Sequence, residues 1–463
     1  MALNTPWLKH YGNVPQTLDY PEGGVTDLVL KAAKKYPENT ATEFNGSHLN
    51  YSGLVAEIRR VARAFHTVGI KSDDRVAICL PNTPQAVFAF YGLNMIGAIS
   101  VMIHPQSSPE ELVYCLNESE CTAVVTLDVF EPKFAAIMPR LGIKMLILTA
   151  IEDGLSMMRS TLFALTQGRK SAKTPLSERA IRWREVLRRG DAMNFGAPPR
   201  LDSTMKEPLL PYEAPIYAEE VATILFTGGT CGKPRGVKLT NLAINALALQ
   251  TAAASDCIVP GHKMLAIMPI FHGFGLGVCI HTALTSGLEC VLVPQFSVKS
   301  FAELLKKHHP NYVAGVPTLF EALLRMEDAD RLDLSGLEGV FSGGDTLPAD
   351  LKRRVDEFLK KHGSHVQIRE GYGLTECVTA SCLTPREFHR EGSIGIPFPD
   401  TYYKIVEPGT SVEVATNKTG EICVSGPTVM AGYDGDDGDT ADVLRQHGDG
   451  RVWLHTGDLG AMD

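Results

Sequence analysis

Short apolar runs with β-strand composition alternate with segments of helical periodicity over much of the 463-residue chain. Between residues 51 and 68, apolar residues recur at steps of three and four, which predicts an amphipathic helix, and residues 75–80 predict a strand soon after it. Near-continuous apolar strands separated by helices are typical of parallel sheets covered on both faces. The pattern occurs at residues 50–130 and again at 222–380, so we expect two α/β subdomains with mostly parallel sheets.

Beyond about residue 385, the strand signals become short and are separated by closely spaced glycine and proline, as in TYYKIVE, TGEICVSGP and RVWLHTGDL. This texture predicts a small β-barrel-like subdomain. We therefore expect a first α/β subdomain over residues 1–215, a second over 216–384 and a β-rich one over 385–463. The aspartate-rich run Asp434–Asp442 lacks the ligand spacing of a calcium loop and predicts a solvated turn.

Charge and composition restrict the function. The chain has 44 Lys and Arg against 53 Asp and Glu, a net charge of -9, which argues against broad binding of nucleic acid. The first residues show no secretory-signal pattern, and the apolar stretch from 87 to 103 predicts a buried helix and a core strand rather than a membrane span. Ten scattered cysteines without a CxxC pair favour reduced thiols and a cytoplasmic location.

Residues 151–215 differ from this background. Between Arg159 and Arg189 there are nine basic residues and two acidic ones, a local charge of +7. The favoured interpretation is an irregular surface insertion with a solvated charged face. The alternative is a peripheral membrane contact through residues 155–189, attracted to anionic lipid.

The segment Thr223–Thr240 reads TILFTGGTCGKPRGVKLT, an apolar strand that enters a loop of glycine, threonine and lysine. Such loops bind phosphates because glycine lets backbone N–H groups approach closely, while threonine hydroxyls add donors. The loop does not have Walker A spacing, since Gly228 lies one residue too close to Gly232 and Lys233 is followed by Pro234. We interpret it as a phosphate-binding loop of another kind.

The sequence TGGTCGKPRGV resembles the phosphate loop of the adenylate-forming superfamily, which contains acyl-CoA synthetases, adenylation domains and luciferases. Further segments resemble the other motifs of that superfamily in the same order: IMPIFHGFGLG (267–277), VFSGGDTLP (340–348), EGYGLTE (370–376), TGEICVSGP (419–427), MAGY (430–433) and WLHTGDLG (453–460). The resemblance covers nearly the whole chain. The segments EGYGLTEC and GSIGIPFPD are most similar to bacterial long-chain fatty-acyl-CoA synthetases.

This resemblance implies an AMP-forming acid–thiol ligase that uses ATP and Mg²⁺ to convert a carboxylic acid, here a fatty acid, to acyl-AMP and then transfers the acyl group to coenzyme A. The chemistry needs the adenylate because a free carboxylate has no good leaving group. Bringing a carboxylate to a polyanion requires charge neutralisation, which backbone N–H groups, hydroxyls and a cation supply.

The resemblance also assigns residues. The catalytic set is Thr227, His272 and Glu376, with Glu376 as the Mg²⁺ ligand and His272 guiding the substrate carboxylate. Tyr372 would stack on adenine, Thr375 would donate to the α-phosphate, and Asp458 would accept both ribose hydroxyls. The full nucleotide set is Thr227, Gly228, Gly229, Thr230, Cys231, Gly232, Arg235, Gly343, Gly344, Asp345, Gly371, Tyr372, Gly373, Thr375 and Asp458.

The expected acyl pocket consists of His272, Gly273, Phe274, Gly315, Val316 and Gly343. The glycines at 273, 275, 277, 343 and 344 are interpreted as space for a long tail. The segment IFHGFGLG has no recognisable aspartate to pair with an amino-acid head group, which favours a fatty or aryl acid. Taken singly, His272, Tyr372, Glu376 and Asp458 each have an ordinary structural explanation, and the ordered set of motifs favours function.

Four features depart from the family pattern, and one of them is Asn241, where the family often has histidine. Arg235 stands where lysine is usual, and Cys231 stands where serine or threonine is usual. Because a thiol is a weak donor, Cys231→Thr should tighten Mg-ATP binding. The sequence ends at Asp463, shortly after the TGD motif, so we expect the C-terminal catalytic domain of the family to be absent, adenylation to be slow and thioester formation to be lost.

Two other functions compete with this interpretation. One is loading of a carrier protein instead of coenzyme A, and the other is a binding module for nucleotide or acyl groups without turnover. A serine hydrolase is disfavoured, since no G-x-S-x-G motif occurs and Ser342 lies in FSGG.

Overall fold

Two large, mostly parallel sheets form the body of the protein. The computed structural model describes residues 4–155, 177–195, 209–228, 233–326, 332–435 and 437–463. The first sheet has eight strands, parallel from β8 to β7 and antiparallel at the β19–β9–β8 edge. In spatial order they are β19 (Gly432–Tyr433), β9 (Gly236–Thr240), β8 (Val221–Phe226), β4 (Ile99–Met102), β3 (Arg75–Cys79), β5 (Ala123–Leu127), β6 (Met145–Thr149) and β7 (Ala180–Arg182).

The second sheet has seven strands, all parallel except for the hairpin formed by its last two. In spatial order they are β14 (Ile368–Glu370), β13 (Gly339–Ser342), β12 (Tyr312–Gly315), β10 (Lys263–Ala266), β11 (Glu289–Leu292), β1 (Thr40–Phe44) and β2 (Ser47–Asn50). The predicted fold class is therefore confirmed for the α/β body.

The two sheets exchange strands across the predicted subdomain limit near residue 215. Strands β1 and β2 precede that limit but complete the second sheet, whereas β8 and β9 follow it but belong to the first. Strand β19, from the predicted β-rich region, pairs with β9 at the edge of the first sheet. A single chain boundary at residue 215 therefore does not divide the chain into the two sheets.

Helices cover the sheets, and their termini follow local capping chemistry. Asn50 accepts a hydrogen bond from the Gly53 N–H at the start of the helix predicted for residues 51–68. Thr83 caps the next helix, whose first residue is Pro84 and whose side chains are buried throughout. The helices are Val25–Lys35, Tyr51–Thr67, Pro84–Met95, Pro109–Glu118, Glu131–Ile137, Trp183–Ala192, Asn241–Ser255, Phe301–His308, Pro317–Leu324, Ala349–Lys361 and Asp437–Val443, with a π-helical segment Phe274–His281 that continues into Thr282–Thr285.

The last region forms a small antiparallel sheet, as predicted. Its four strands lie in the order β17 (Tyr402–Val406), β18 (Gly420–Ser425), β21 (Val452–Gly460) and β20 (Leu444–Gln446). In the segment GSIGIPFP, Ile396–Pro397 forms a short strand that pairs with Cys382–Leu383 in a separate two-stranded sheet. The small sheet holds β21 so that the end of the strand, with Asp458, lies beside Tyr372.

The aspartate-rich run is not a simple solvated turn. Asp434 is buried, and its Oδ1 lies 3.1 Å from Nη2 of Arg75 at the start of β3. The residues that follow form the short helix Asp437–Val443. The interpretation as a solvated turn is therefore wrong for Asp434, because long-range pairing with Arg75 is invisible in the local sequence.

The basic insertion lies partly outside the described residues, which resume at Ser177. Within the described part, Arg184 pairs with Asp153, and Arg188 and Arg189 both pair with Glu185. Membrane contact through residues 155–189 stays a prediction. Among the described residues, no helix is both long enough and apolar enough to cross a bilayer.

Candidate active site

Four of the predicted site residues follow directly after parallel strands. Thr227 follows β8 of the first sheet, and Val316, Gly343 and Gly371 follow β12, β13 and β14 of the second. In α/β proteins, ligands bind in the crevice outside the carboxyl ends of the strands. These four residues therefore lie at positions where such proteins bind ligands.

Thr227 and Arg235 form the base of the phosphate loop. The Thr227 N–H donates to the Arg235 carbonyl at 3.0 Å, and the Arg235 N–H donates to Thr227 Oγ1 at 3.1 Å. Gly228 is exposed, and a Cβ added there would meet nothing within 4 Å. The other loop residues predicted to bind nucleotide lie outside the described part of the chain: Gly229, Thr230, Cys231 and Gly232.

Glu376, the predicted Mg²⁺ ligand, is buried against Tyr433, and the exposed Arg235 lies beside both. The Tyr433 hydroxyl donates to Glu376 Oε1 at 2.7 Å, and Nη2 of Arg235 lies 4.0 Å from the same oxygen. The Arg235 guanidinium sits 4.3 Å from the centre of the Tyr433 ring. Burial and the hydrogen bond to Glu376 raise the pKa of Tyr433, so the phenol remains a donor.

Tyr433 is a site residue that the sequence reasoning missed. It appears in the MAGY segment, but no role was predicted for it. Its position on β19, which pairs with β9 next to the phosphate loop, brings its ring to Arg235. The motif itself was the available signal, whereas the pairing with Glu376 depends on tertiary structure.

Tyr372 and Asp458 form a second tyrosine–carboxylate pair. The Tyr372 hydroxyl donates to Asp458 Oδ2 at 2.6 Å, although the two residues lie 86 positions apart. Burial, and then the hydrogen bond to Asp458, raise the pKa of Tyr372. Asp458 is exposed, so its other lone pairs can accept hydrogen bonds from a ligand.

The glycines around Tyr372 are needed for close backbone packing. A Cβ at Gly373 would lie 2.5 Å from the Thr379 carbonyl oxygen, and one at Gly371 would lie 3.0 Å from that of Cys382. Thr375 then begins the short 3-10 turn Thr375–Cys377 that directs Glu376 inward. The segment holds Tyr372 against the site and Glu376 within it.

Gly343 and Gly344 form the opposite wall. The Gly343 N–H donates to the Gly315 carbonyl at 3.1 Å, and Gly344 has a φ of +78°, which a side chain would strain. Asp345 is exposed, and its Oδ1 accepts the Thr346 N–H at 2.7 Å. The wall thus presents mainly backbone to a flat ligand such as a nucleobase.

His272 has a defined hydrogen-bonding state. Its Nδ1 lies 3.2 Å from the Phe274 N–H and accepts that hydrogen bond. Burial lowers the pKa of His272, which favours the neutral ring. A neutral ring that accepts at Nδ1 carries its proton at Nε2, so His272 can donate one hydrogen bond to a carboxylate.

A narrow apolar cavity of about 40 Å³ lies between the π-helical segment and the Gly343–Gly344 wall. Of the predicted acyl-pocket residues, Phe274 and Gly343 line this cavity; His272, Gly273, Gly315 and Val316 do not. Its other lining residues are Thr251, Val278, Phe341, Ser342, Gly344, Gly371, Thr379, Ala380, Cys382, Leu383 and Phe398. Sequence reasoning missed the aromatic walls Phe341 and Phe398, because spacing does not show which core rings border a cavity.

The glycines of the HGFGLG segment do not provide space for an acyl tail. A Cβ at Gly275 would lie 2.0 Å from the Pro269 carbonyl oxygen, and one at Gly277 would lie 2.3 Å from Leu247 Cδ2. A Cβ at Gly273 would meet Thr379 Oγ1 at 2.1 Å. The interpretation of these three glycines as free space is wrong, since each allows close packing of the π-helical segment.

Comparison with known proteins now assigns the class. Residues 29–434 match the family of AMP-binding enzymes. A long-chain-fatty-acid–CoA ligase of Bacillus subtilis is 31% identical over 469 residues, covering 100% of this chain and 79% of that protein. One of Salmonella typhimurium is 29% identical over 467 residues, covering 99% of this chain and 78% of its own length.

Solved structures show the same fold. A long-chain-fatty-acid–CoA ligase from Archaeoglobus fulgidus aligns with a TM-score of 0.80 at 22% identity, covering 96% of this chain and 83% of that one. An anthranilate CoA ligase in complex with anthranoyl-AMP aligns with a TM-score of 0.77 at 20% identity, covering 98% and 77%. The chain belongs to the AMP-binding enzyme family, and the predicted resemblance is confirmed.

Proposed function

We propose that this protein is an AMP-forming ligase that activates a long-chain fatty acid as its acyl-adenylate and transfers the acyl group to coenzyme A. The observation that most directly supports this proposal is that the apolar cavity and the candidate nucleotide site share walls. Gly343, Gly344 and Gly371 line the cavity, and Tyr372, paired with Asp458, follows directly after Gly371. An acyl group joined to AMP would place its two halves in these adjoining compartments.

The residues have complementary roles in this proposal. Asp458 accepts the ribose hydroxyls, and the Tyr372 ring stacks on adenine against the glycine wall. His272 donates its Nε2–H to the substrate carboxylate, which orients that group without adding charge. Thr227 and Arg235, at the base of the phosphate loop, lie where they can contact the phosphates of ATP.

Glu376 fits the role of Mg²⁺ ligand. The structure gives its Oε1 one donor, the Tyr433 hydroxyl, and a carboxylate has further lone pairs that a hard cation can use. Bound Mg²⁺ would neutralise phosphate charge during attack by the carboxylate. The Arg235 guanidinium, 4.0 Å from Glu376, adds a second positive charge on the same side.

A short or aryl acid is the second candidate substrate, because either is smaller than a long acyl tail. The cavity volume of about 40 Å³ is well below the roughly 150 Å³ of a cavity that binds benzene, so even an aryl ring would need some widening of the cavity. A long acyl tail therefore requires the ring of Phe274, Phe341 or Phe398 to move. Similarity to the Bacillus subtilis ligase over the whole of this chain supports the fatty acid as the first candidate.

Binding of non-hydrolysable acyl-adenylate analogues tests the proposal. We would titrate a series from acetyl to stearoyl, together with a benzoyl analogue, by calorimetry and thermal shift. The fatty-acid proposal predicts affinity that rises with chain length and far exceeds that of AMP. Highest affinity for the benzoyl or acetyl analogue would replace the fatty acid by the second candidate. Equal affinity for AMP and every analogue would contradict an acyl-binding site.

The final acceptor needs its own experiment. Because we expect thioester formation to require the family's C-terminal domain, the test uses a protein in which that domain follows residue 463. This protein should convert a preformed acyl-adenylate and coenzyme A to the thioester if coenzyme A is the acceptor. A carrier protein with a phosphopantetheine arm is the matched alternative. Thioester on the carrier alone would favour the loading function.

The predicted membrane contact is tested by sedimentation with anionic liposomes. If residues 155–189 bind lipid, neutralising Arg169, Lys170 and Lys173 should release the protein. Unchanged sedimentation of that variant would remove the segment as a lipid anchor.

A further inference from the structure

Three metal-ligating side chains meet in the small antiparallel sheet, away from the candidate nucleotide residues. Cys423 lies on β18, His447 follows β20 directly and His455 lies on β21. Their ligand atoms all lie within 4.8 Å of one another, and all three residues are buried. Cys423 and His455 are directly opposite in the β18–β21 register, so the backbone pairing itself brings two of the groups together.

The two imidazoles face each other through equivalent nitrogens. Nε2 of His447 lies 3.0 Å from Nε2 of His455. Such a pair must share either one proton or one cation. Two nitrogens bound to one tetrahedral Zn²⁺ at 2.0–2.1 Å are separated by about 3.3 Å, so the observed spacing is close to that of a ligand pair. The Cys423 sulfur lies within 4.8 Å of the histidine ligand atoms, and in a completed tetrahedral set it would lie about 3.5 Å from each.

Glu421 accepts a hydrogen bond from His455, as carboxylates commonly do from metal-bound histidines. The His455 Nδ1 lies 3.0 Å from Glu421 Oε2, so Nδ1–H donates and the Nε2 lone pair faces the cluster. Glu421 Oε1 accepts the Gly457 N–H at 3.1 Å, which fixes the carboxylate from its other side. The tautomer of His455 is therefore the one that a cation requires.

The electrostatics also fit a divalent cation. A doubly charged ion together with the Cys423 thiolate and the Glu421 carboxylate would be neutral as a unit. Two cationic side chains lie nearby, but Lys404 is paired with Asp449 at 2.6 Å and with Glu413 at 3.3 Å. The other, Arg445, donates to the carbonyls of Asp442 and Gly409.

The cysteine makes ion binding dependent on pH. A metal ion binds the thiolate form of cysteine, so binding at Cys423 requires loss of the thiol proton. A bound ion displaces that proton. Affinity should therefore rise with pH, as it does for thiolate sites generally.

We propose that Cys423, His447 and His455 form a binding site for a borderline-soft divalent cation of the Zn²⁺ class. One thiolate and two imidazoles suit Zn²⁺, Co²⁺ or Cu²⁺ and not Mg²⁺. The ion joins β18, β20 and β21 a few residues before Asp458, and through Glu421 and Gly457 it holds the strand that carries the predicted ribose-binding carboxylate. This site does not depend on the proposed function.

Co²⁺ is the most direct probe, because it reports thiolate ligation by a sulfur-to-metal charge-transfer band. We would titrate the tag-free chain with Co²⁺ under reducing conditions and then displace it with Zn²⁺. The proposal predicts one equivalent with tetrahedral spectra, loss of the band in Cys423→Ser, and at least a tenfold weaker affinity in His447→Gln. A large excess of Mg²⁺ should not displace the Co²⁺.

Cys382→Ser is the matched control, since Cys382 is also a fully buried cysteine, but it lies outside the cluster. This variant should keep the band and the stoichiometry. Zn²⁺ should raise the melting temperature of the wild type and of Cys382→Ser but not that of Cys423→Ser. Absence of a Co²⁺ band in the folded wild type, or a band of equal strength in Cys423→Ser, would overturn the proposal and leave the two histidines as a hydrogen-bonded pair.

Discussion

The candidate active site contains two tyrosine–carboxylate pairs that share one chemistry and differ in their surroundings. Tyr372 donates to Asp458 at 2.6 Å, and Tyr433 donates to Glu376 at 2.7 Å. Glu376 is buried, with Arg235 beside it, whereas Asp458 is exposed. The same kind of hydrogen bond is therefore made to a buried carboxylate at Glu376 and to an exposed one at Asp458.

This difference separates a binding role from a positioning role. Water can replace the Tyr372 hydroxyl at the exposed Asp458, so that bond contributes little to folding. A buried carboxylate has no such replacement, and losing its donor is costly. We infer that Asp458 contributes mainly to ligand affinity, while Tyr433 orients Glu376 for the cation.

The largest expected effect concerns the exposed pair. Replacing Asp458 with Ala removes the acceptor of both ribose hydroxyls, and hydrogen bonds to a charged group are worth about 1.5–3 kcal/mol each. Affinity for AMP should fall by about 3 kcal/mol, or about 100-fold, in calorimetric titration. Asp458→Asn keeps the shape of the side chain without its charge, so its AMP affinity should lie between those of the wild type and Asp458→Ala. Unchanged AMP affinity in Asp458→Ala would remove it from the nucleotide site.

The buried pair should show its effect in stability. Tyr433→Phe leaves Glu376 without its donor in a buried position, which should lower the free energy of unfolding by about 1.5–3 kcal/mol. Urea denaturation measures this change. Adding Glu376→Gln to Tyr433→Phe removes the charge and should restore part of the loss. A Tyr433→Phe variant as stable as the wild type would mean that solvent or Arg235 fully satisfies Glu376.

The smallest effect is expected for Tyr372→Phe. The ring remains for stacking, and water takes the place of the hydroxyl at Asp458, so the free energy of unfolding should change by no more than about 0.5 kcal/mol. AMP affinity should be nearly retained. Tyr372→Ala is the contrasting variant, since loss of base stacking costs about 1–3 kcal/mol. Equal loss of AMP affinity in both variants would assign the contribution to the hydroxyl instead of the ring.

The ordered motifs of the sequence predict one site that contains Thr227, Glu376, Tyr372 and Asp458. Because ligands bind outside the carboxyl ends of parallel strands, the positions of Thr227 after β8 and of Tyr372 after β14 can be expected without knowledge of packing. The position of Asp458 on an antiparallel strand of the small sheet cannot be expected in this way. The α/β body and the small β-rich region can be predicted from the spacing of apolar residues along the chain.

Features that depend on register and close packing could not be predicted. The Tyr433–Glu376 bond requires β19 to pair with β9, and the exchange of β1 and β2 into the second sheet crosses the expected boundary. From the sequence, the missing side chains at Gly275 and Gly277 suggest free space, but in the fold neighbouring atoms occupy that space. The Cys423 cluster lacks motif spacing because its three ligands come from three different parts of the sheet.

The Mg²⁺ dependence of ATP binding in wild type and Glu376→Gln tests the central claim most directly. In the wild type, Mg²⁺ should increase affinity for a non-hydrolysable ATP analogue while leaving AMP affinity unchanged. In Glu376→Gln, the Mg²⁺ effect should disappear and AMP affinity should be retained. An equal response to Mg²⁺ in both proteins would contradict the assignment of Glu376 as the cation ligand of this site.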